Sequence, residues 1–196
     1  ATFMCVPFGT GVRLALDRNE DGVYDGDETE VIRMALQGND WSSLNTSPAF
    51  DITHTCDGTN TSPAMTFEKP PKFTQSYALL LQDSETGQER PWVHWLLYNL
   101  NGDITSLPKD LGTGREISES ILSQGATHGV NSFNQNTDIG YNGPCPPKGS
   151  THSYEFILLA LDSKLELPPG LSKDTFYSQV KEHVVGVSGW QASYSR

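Results

Sequence analysis

The segment Asp17-Arg18-Asn19-Glu20-Asp21-Gly22-Val23-Tyr24-Asp25-Gly26-Asp27-Glu28 sets hard oxygen ligands at the spacing D-x-N-x-D-G-x5-E. Calcium takes about six to eight such oxygens, and this spacing offers them from Asp17, Asn19, Asp21, the Val23 carbonyl, Asp25 (directly or through water) and a bidentate Glu28. Gly22 permits the sharp turn, and carboxylates this close together would repel one another without a cation. Pro7, Gly9 and Gly11 leave no room for an entering helix, so the expectation is a solitary structural calcium rather than a paired sensor. Elsewhere the pattern withholds chemistry: neither GxSxG nor HExxH occurs. Ser153 adjoins His152, but neighbours on a strand face opposite ways and make no nucleophile–base pair.

The elements that must carry these residues change character along the chain. Of 196 residues, 36% are hydrophobic and 10% aromatic, enough for one cored domain of about 150 residues with an appendage. Residues 1–40 hold 8 acidic and 3 basic side chains, nearly half of the net charge of −11 in a fifth of the length. Glu28–Leu36 reads as a short amphipathic helix closed by Gly38, and the polar stretch from Gly38 to Pro48 as a linker. Residues 1–40 are thus expected as a calcium-loop and helix appendage, 41–48 as a linker, and 49–196 as the main domain.

From Ala49 the pattern is β. Ala49–Cys56, Ala64–Glu68, Ser76–Gln82, Trp92–Leu100 and Tyr154–Asp162 are rich in aromatic and β-branched residues, have strand length, and are bounded by Gly, Pro, Asn and Asp. Continuous apolar runs among them predict strands buried on both faces. Lys173–Val185 has helical spacing, and Val187–Tyr194 reads as a final strand. Asp110–Pro147, aperiodic and rich in Gly, Asn, Ser and Thr, is long enough to be a functional loop. The acidic balance, with an isoelectric point near 4.7, provides no footprint for a phosphate backbone and excludes nucleic acid as a partner. No apolar run approaches the ~18–20 residues of a membrane-spanning helix.

Four ordered motifs carry a resemblance. Cys56-Asp57-Gly58-Thr59-Asn60-Thr61-Ser62-Pro63 is followed by Asp83-Ser84-Glu85, then Trp92-Val93-His94-Trp95, then Gly140-Tyr141-Asn142-Gly143-Pro144-Cys145-Pro146-Pro147-Lys148-Gly149 with His152-Ser153-Tyr154. Over about residues 46–196 they resemble the phosphatidylethanolamine-binding protein (PEBP) family, also called Raf kinase inhibitor protein-like, and especially its bacterial branch. The resemblance implies a mainly β protein, a Greek-key β-sandwich with one or two peripheral helices and a small anion-binding pocket at one end. It makes Asp83, His94, Tyr141, Gly143, Pro144, His152 and Tyr154 the ligand-binding set, for phosphate or a phosphoethanolamine-type group. Two departures stand out: Ser84 where the family has Pro in D-P-D, and Ser153 where it has Arg in H-R-Y.

The residue types agree with that set. Two histidines, an aspartate and a tyrosine beside Gly-Pro turns supply hydrogen bonds for a phosphate, and both histidines are expected to gain charge as pH falls towards about 6.5. His54, His128 and His183 read as structural. Two other readings stay open: a metal-assisted hydrolase on Asp83, His94 and His152, and a docking module of a larger, cytochrome-containing complex whose pocket is idle.

The three cysteines, Cys5, Cys56 and Cys145, form no CxxC pair. The resemblance sets Cys56 and Cys145 beside the pocket and implies a disulfide between them, which with the calcium loop points to a periplasmic or extracellular protein. Cys5 is then expected to bond to an upstream polypeptide or another subunit. The start at Ala1-Thr2-Phe3 implies a removed targeting segment or a longer precursor, and residues 2–7 and 11–28 also resemble the tail of bacterial extracytoplasmic c-type cytochrome precursors.

Overall fold

A computed structural model describes residues 48–68, 70–112, 117 and 125–196, together with the backbone of two short strands within 32–38. In chain order the elements are β1 (Ile32–Arg33), β2 (Ala35–Gly38), β3 (Met65–Glu68), β4 (Ser76–Asp83), β5 (Trp92–Asn101), β6 (Ser106–Leu107), β7 (Thr127–His128), β8 (Thr151–Leu161), α1 (Lys173–Val180) and β9 (Val184–Ser195). They make a six-stranded sheet of order β1-β9-β8-β4-β5-β7 and a three-stranded sheet of order β2-β3-β6. Pairing is antiparallel except between β1 and β9. The architecture is the mainly β one expected.

Every residue of β4 is buried, and alternation explains why its middle, Tyr77–Leu81, is apolar throughout. Tyr77, Leu79 and Leu81 point with Trp95, Phe156 and Leu158 towards Met65, Phe67 and Leu107 of the smaller sheet. Ala78 and Leu80 point the other way with Leu96, Tyr98 and Leu159, onto Phe176 and Val180 of α1. A central strand with one sheet below and a helix above has no face left for polar residues. Each such side chain, fully buried, is worth about 1.5–3 kcal/mol.

Two segments differ from the sequence reading. Ala49–Cys56 is not a strand: Ala49 makes one bridge to Ser193, and Ile52–His54 is a 3₁₀ helix. Asp51 caps that turn by accepting from Thr53 N at 2.9 Å, and Thr55 Oγ1 donates to Ile52 O at 2.9 Å, so local side-chain bonds take the place of a ladder. Within Glu28–Leu36, residues 32–33 and 35–36 are strand rather than helix, Ile32 opposite Gly186 and Leu36 opposite Phe67. A helix of nine residues is marginal alone, and sheet edges offered these residues hydrogen-bonded partners. At the other end α1 stops at Val180, short of the expected Val185, because Val184 and its β-branched successors pair with β8.

The calcium ligands Asp17, Asn19, Asp21, Val23, Asp25 and Glu28 lie outside the described residues, as do Cys5 and nearly all of the linker.

Candidate functional site

The last residue of β4 is an aspartate, and the sheet register explains what surrounds it. Asp83 is opposite Trp92 on β5 and Tyr154 on β8, and it follows Tyr77, Leu79 and Leu81 on the inner face of the larger sheet. His152 precedes Tyr154 by two residues and shares its face. His94 arrives by a different device. Leu81 pairs with Trp95 and Gln82 with Val93, so His94 is an extra residue on β5, a β-bulge. Val93 joins the cluster under α1 and Trp95 the core between the sheets. The bulge carries His94 inward beside Tyr154, with ring centroids 5.2 Å apart.

These four side chains line one cavity of about 400 Å³ with Glu85, Thr86, Gln88, Trp92, Phe133 and the Cys145-Pro146-Pro147 wall. Asp83 is 2% exposed and uses both oxygens: Oδ1 accepts from Glu85 N at 2.7 Å, and Oδ2 lies 2.7 Å from His152 Nδ1. A carboxylate only accepts, so His152 donates from Nδ1. His94 is 3% exposed, and its Nδ1 donates to the Asn142 carbonyl at 2.7 Å. Burial pushes the His94 ring down to about 4, against the pull of the Asn142 bond and the Asp83 charge. In this cavity His94 is therefore neutral at physiological pH and offers Nε2 as an acceptor, which corrects the expectation that both histidines charge near 6.5.

Thr86 Oγ1 is buried and makes no hydrogen bond among the described residues, and the buried Tyr154 Oη, which the Cys145 amide approaches, has no acceptor for its own proton there. Burial first, and the Asp83 charge second, push the Tyr154 phenol above its ordinary range, so it keeps its proton as a donor. A buried hydroxyl with an unused proton is costly, and both residues lie in the lining of the cavity.

The other three expected residues, Tyr141, Gly143 and Pro144, do not line the cavity and instead join the two loops that carry its Cys145 wall. Tyr141 is 2% exposed and donates from its hydroxyl to His54 O at 2.6 Å, its ring edge-on to Trp95. Gly143 donates its N–H to Asn60 Oδ1 at 2.7 Å, and a Cβ there would lie 2.1 Å from the His54 carbonyl oxygen, so only glycine lets the two loops close. Pro144 O accepts from Cys56 N at 3.1 Å. The Cys56–Cys145 disulfide joins the same two loops across 89 residues, with Cα atoms 5.4 Å apart.

Sequence reasoning missed Phe133 and Thr86. Phe133 comes from the long aperiodic loop and packs edge-on against Trp92 and His94, with centroids 5.5 and 5.2 Å away. No pattern in that loop distinguishes it. Of the histidines read as structural, His54 is fully buried with Nδ1 2.8 Å from Thr61 O, and His183 Nδ1 is 2.9 Å from Asp162. Among the described residues no group of three His, Cys, Asp or Glu has the geometry to hold a metal ion, and both Asp83 oxygens are already committed. The metal-hydrolase reading has no geometric support there.

Comparison with known proteins covers the same segment. The family model described as phosphatidylethanolamine-binding protein matches residues 41–195. A UPF0098 protein of Methanothermobacter thermautotrophicus is 35% identical over 144 residues, spanning 73% of this chain and 88% of that protein. The UPF0098 protein YbcL of Escherichia coli K12 is 36% identical over 110 residues, 56% of this chain and 57% of that protein. The crystal structure of E. coli YbcL, described as a new member of the mammalian PEBP family, superposes with a TM-score of 0.71 at 25% identity, covering 84% of this chain and 99% of that one. A PEBP homologue from Chlamydia trachomatis shares the fold, with a TM-score of 0.67 at 24% identity over 84% of this chain and 98% of that one. The family match begins at residue 41, beyond the 17–28 loop and the cytochrome-like words.

Proposed function

The chain belongs to the phosphatidylethanolamine-binding protein family, and from that premise we propose that its cavity binds a small anion of the phosphate or phosphomonoester type. The observation that carries the reading is the Asp83–His152 pair at 2.7 Å in a cavity that His94, Tyr154 and Thr86 also line. The hydroxyls of Tyr154 and Thr86 are donors for anionic oxygens, while the neutral His94 accepts from a P–OH group. The cavity is thus matched to a monoprotonated phosphate. A phosphomonoester loses its second proton near pH ~6, so binding strengthens as pH falls from about 8 to 6. Asp83 contributes by fixing the tautomer and orientation of the His152 ring.

The reading extends to an exported protein with a structural calcium at Asp17, Asn19, Asp21, Val23, Asp25 and Glu28, and with Cys5 joined to another polypeptide. Its support is the ligand spacing of that loop and the Cys56–Cys145 disulfide, a bond that persists in oxidising compartments.

Titration calorimetry with inorganic phosphate and with phosphoethanolamine, at pH 6 and pH 8, tests the site. Saturable binding that is tighter at pH 6 supports it, and absence of binding at both overturns it.

A further inference from the structure

A larger cavity of about 550 Å³ adjoins the first, and Gln88 and Trp92 line both. Its charged lining is different in sign. The first cavity presents the carboxylates of Asp83 and Glu85, whereas the second presents Arg90 and Lys173 against a single carboxylate, Asp174. Arg90 pairs with Asp174, both exposed. Lys173 is left with a neutral partner: its ammonium donates to the Gln82 amide oxygen at 2.6 Å, and that amide donates in turn to Glu155 at 3.0 Å. Burial lowers the Lys173 ammonium below its ordinary value, although Asp174 and Glu155 oppose this and Arg90 reinforces it. A half-buried cation bonded to a neutral group retains attraction for an anion. Polar groups complete the lining, among them Asn136 and Ser172.

This local excess of positive charge lies on a chain whose net charge is −11. Overall charge repels a polyanion, so attraction here must come from the cavity itself.

We propose that the second cavity is a subsite for a second anionic group of the same ligand, so that the natural ligand is a phosphomonoester whose far end carries another phosphate or a carboxylate. The phosphoryl group sits at His152, Tyr154 and Thr86, the linking carbons cross the face of Trp92, and the distal anion meets Lys173 and Arg90. This inference rests on the anion reading of the first cavity. A phosphoethanolamine-type ligand would present an ammonium to Lys173 and Arg90, and the subsite discriminates against it.

The test is titration calorimetry of the full chain with inorganic phosphate, with α,ω-alkanediol monophosphates of three to six carbons, and with the corresponding bisphosphates. At least one bisphosphate is expected to bind about tenfold or more tightly than its monophosphate, the worth of one charge-assisted contact. Lys173→Gln is expected to abolish that gain while leaving affinity for inorganic phosphate within about twofold. Arg90→Gln, at an exposed position and so without risk to folding, should reduce the gain in the same way. The inference is overturned if no bisphosphate surpasses its monophosphate, or if the gain survives both substitutions. Phosphate binding that persists in that case leaves the first-cavity reading standing. Failure of inorganic phosphate to bind at all removes both.

Discussion

The Oδ2 atom of Asp83 lies 2.7 Å from Nδ1 of His152, across the boundary between β4 and β8. A carboxylate near an anion site repels the ligand unless it acts through the histidine. Asp83→Asn, which keeps the shape but removes the charge that holds the His152 ring, is therefore expected to weaken phosphate binding about tenfold or more at both pH 8 and pH 6. Calorimetric titration at both pH values checks this; tighter binding by the variant would place the anion elsewhere.

Tyr154 makes a prediction of opposite signs. Its buried hydroxyl has no acceptor for its proton among the described residues, so Tyr154→Phe removes a desolvated donor and should stabilise the ligand-free protein by roughly 1 kcal/mol. The same change removes a donor and should weaken phosphate binding several-fold. Denaturant unfolding and calorimetry on one variant read both effects, and loss of stability together with unchanged affinity would contradict the site.

His94 links stability to pH. Burial depresses its pKa from 6.5 to about 4, so between these values the unfolded chain binds the proton more readily than the folded one. The contribution is fully present above about 6.5, declines as pH falls, and is lost below about 4, amounting to roughly 3 kcal/mol across the window. Urea midpoints measured from pH 7 to pH 4 should fall, and His94→Gln should remove part of that slope.

Reduction of the Cys56–Cys145 bond releases a constraint spanning 89 residues. Stability should drop by about 2–4 kcal/mol, and phosphate affinity should weaken because Cys145 forms part of the cavity wall. Thermal scans with and without reductant, compared with the Cys56→Ser/Cys145→Ser double variant, measure the effect. An unchanged melting temperature would show that the loops hold without it.

For the proposed calcium site, added calcium should raise the melting temperature of the full chain, and Asp21→Ala should remove the increment. A scan that chelator leaves unaltered rejects a structural calcium.

Much of the fold was legible because β4, most of β5 and the second half of β8 are covered on both faces, and the apolar runs Tyr77–Leu81 and Phe156–Leu161 carry that fact directly. Asp83, His94, His152 and Tyr154 were legible as motif residues, and they line one cavity. Phe133 was not, because its place depends on the path of an aperiodic loop and not on a local pattern. The 3₁₀ helix at Ile52–His54 was hidden for another reason: its apolar and β-branched residues suit a strand, and the Asp51 and Thr55 hydrogen bonds that decide against one depend on backbone geometry. The neutrality of His94 was equally invisible, since it follows from tertiary burial.

The bulge at His94 makes chain length, and not only chemistry, a requirement of the cavity. Between Val93 and Trp95, partners of adjacent residues on β4, one extra position must be accommodated. Deleting any single residue from Trp92 to Trp95 would heal the ladder, and whatever side chain then entered the ladder would follow the ordinary two-residue alternation. Natural variation along this stretch should accordingly tolerate exchanges of residue type more readily than any change in count. A one-residue deletion that keeps the histidine should disable the cavity as thoroughly as replacing it.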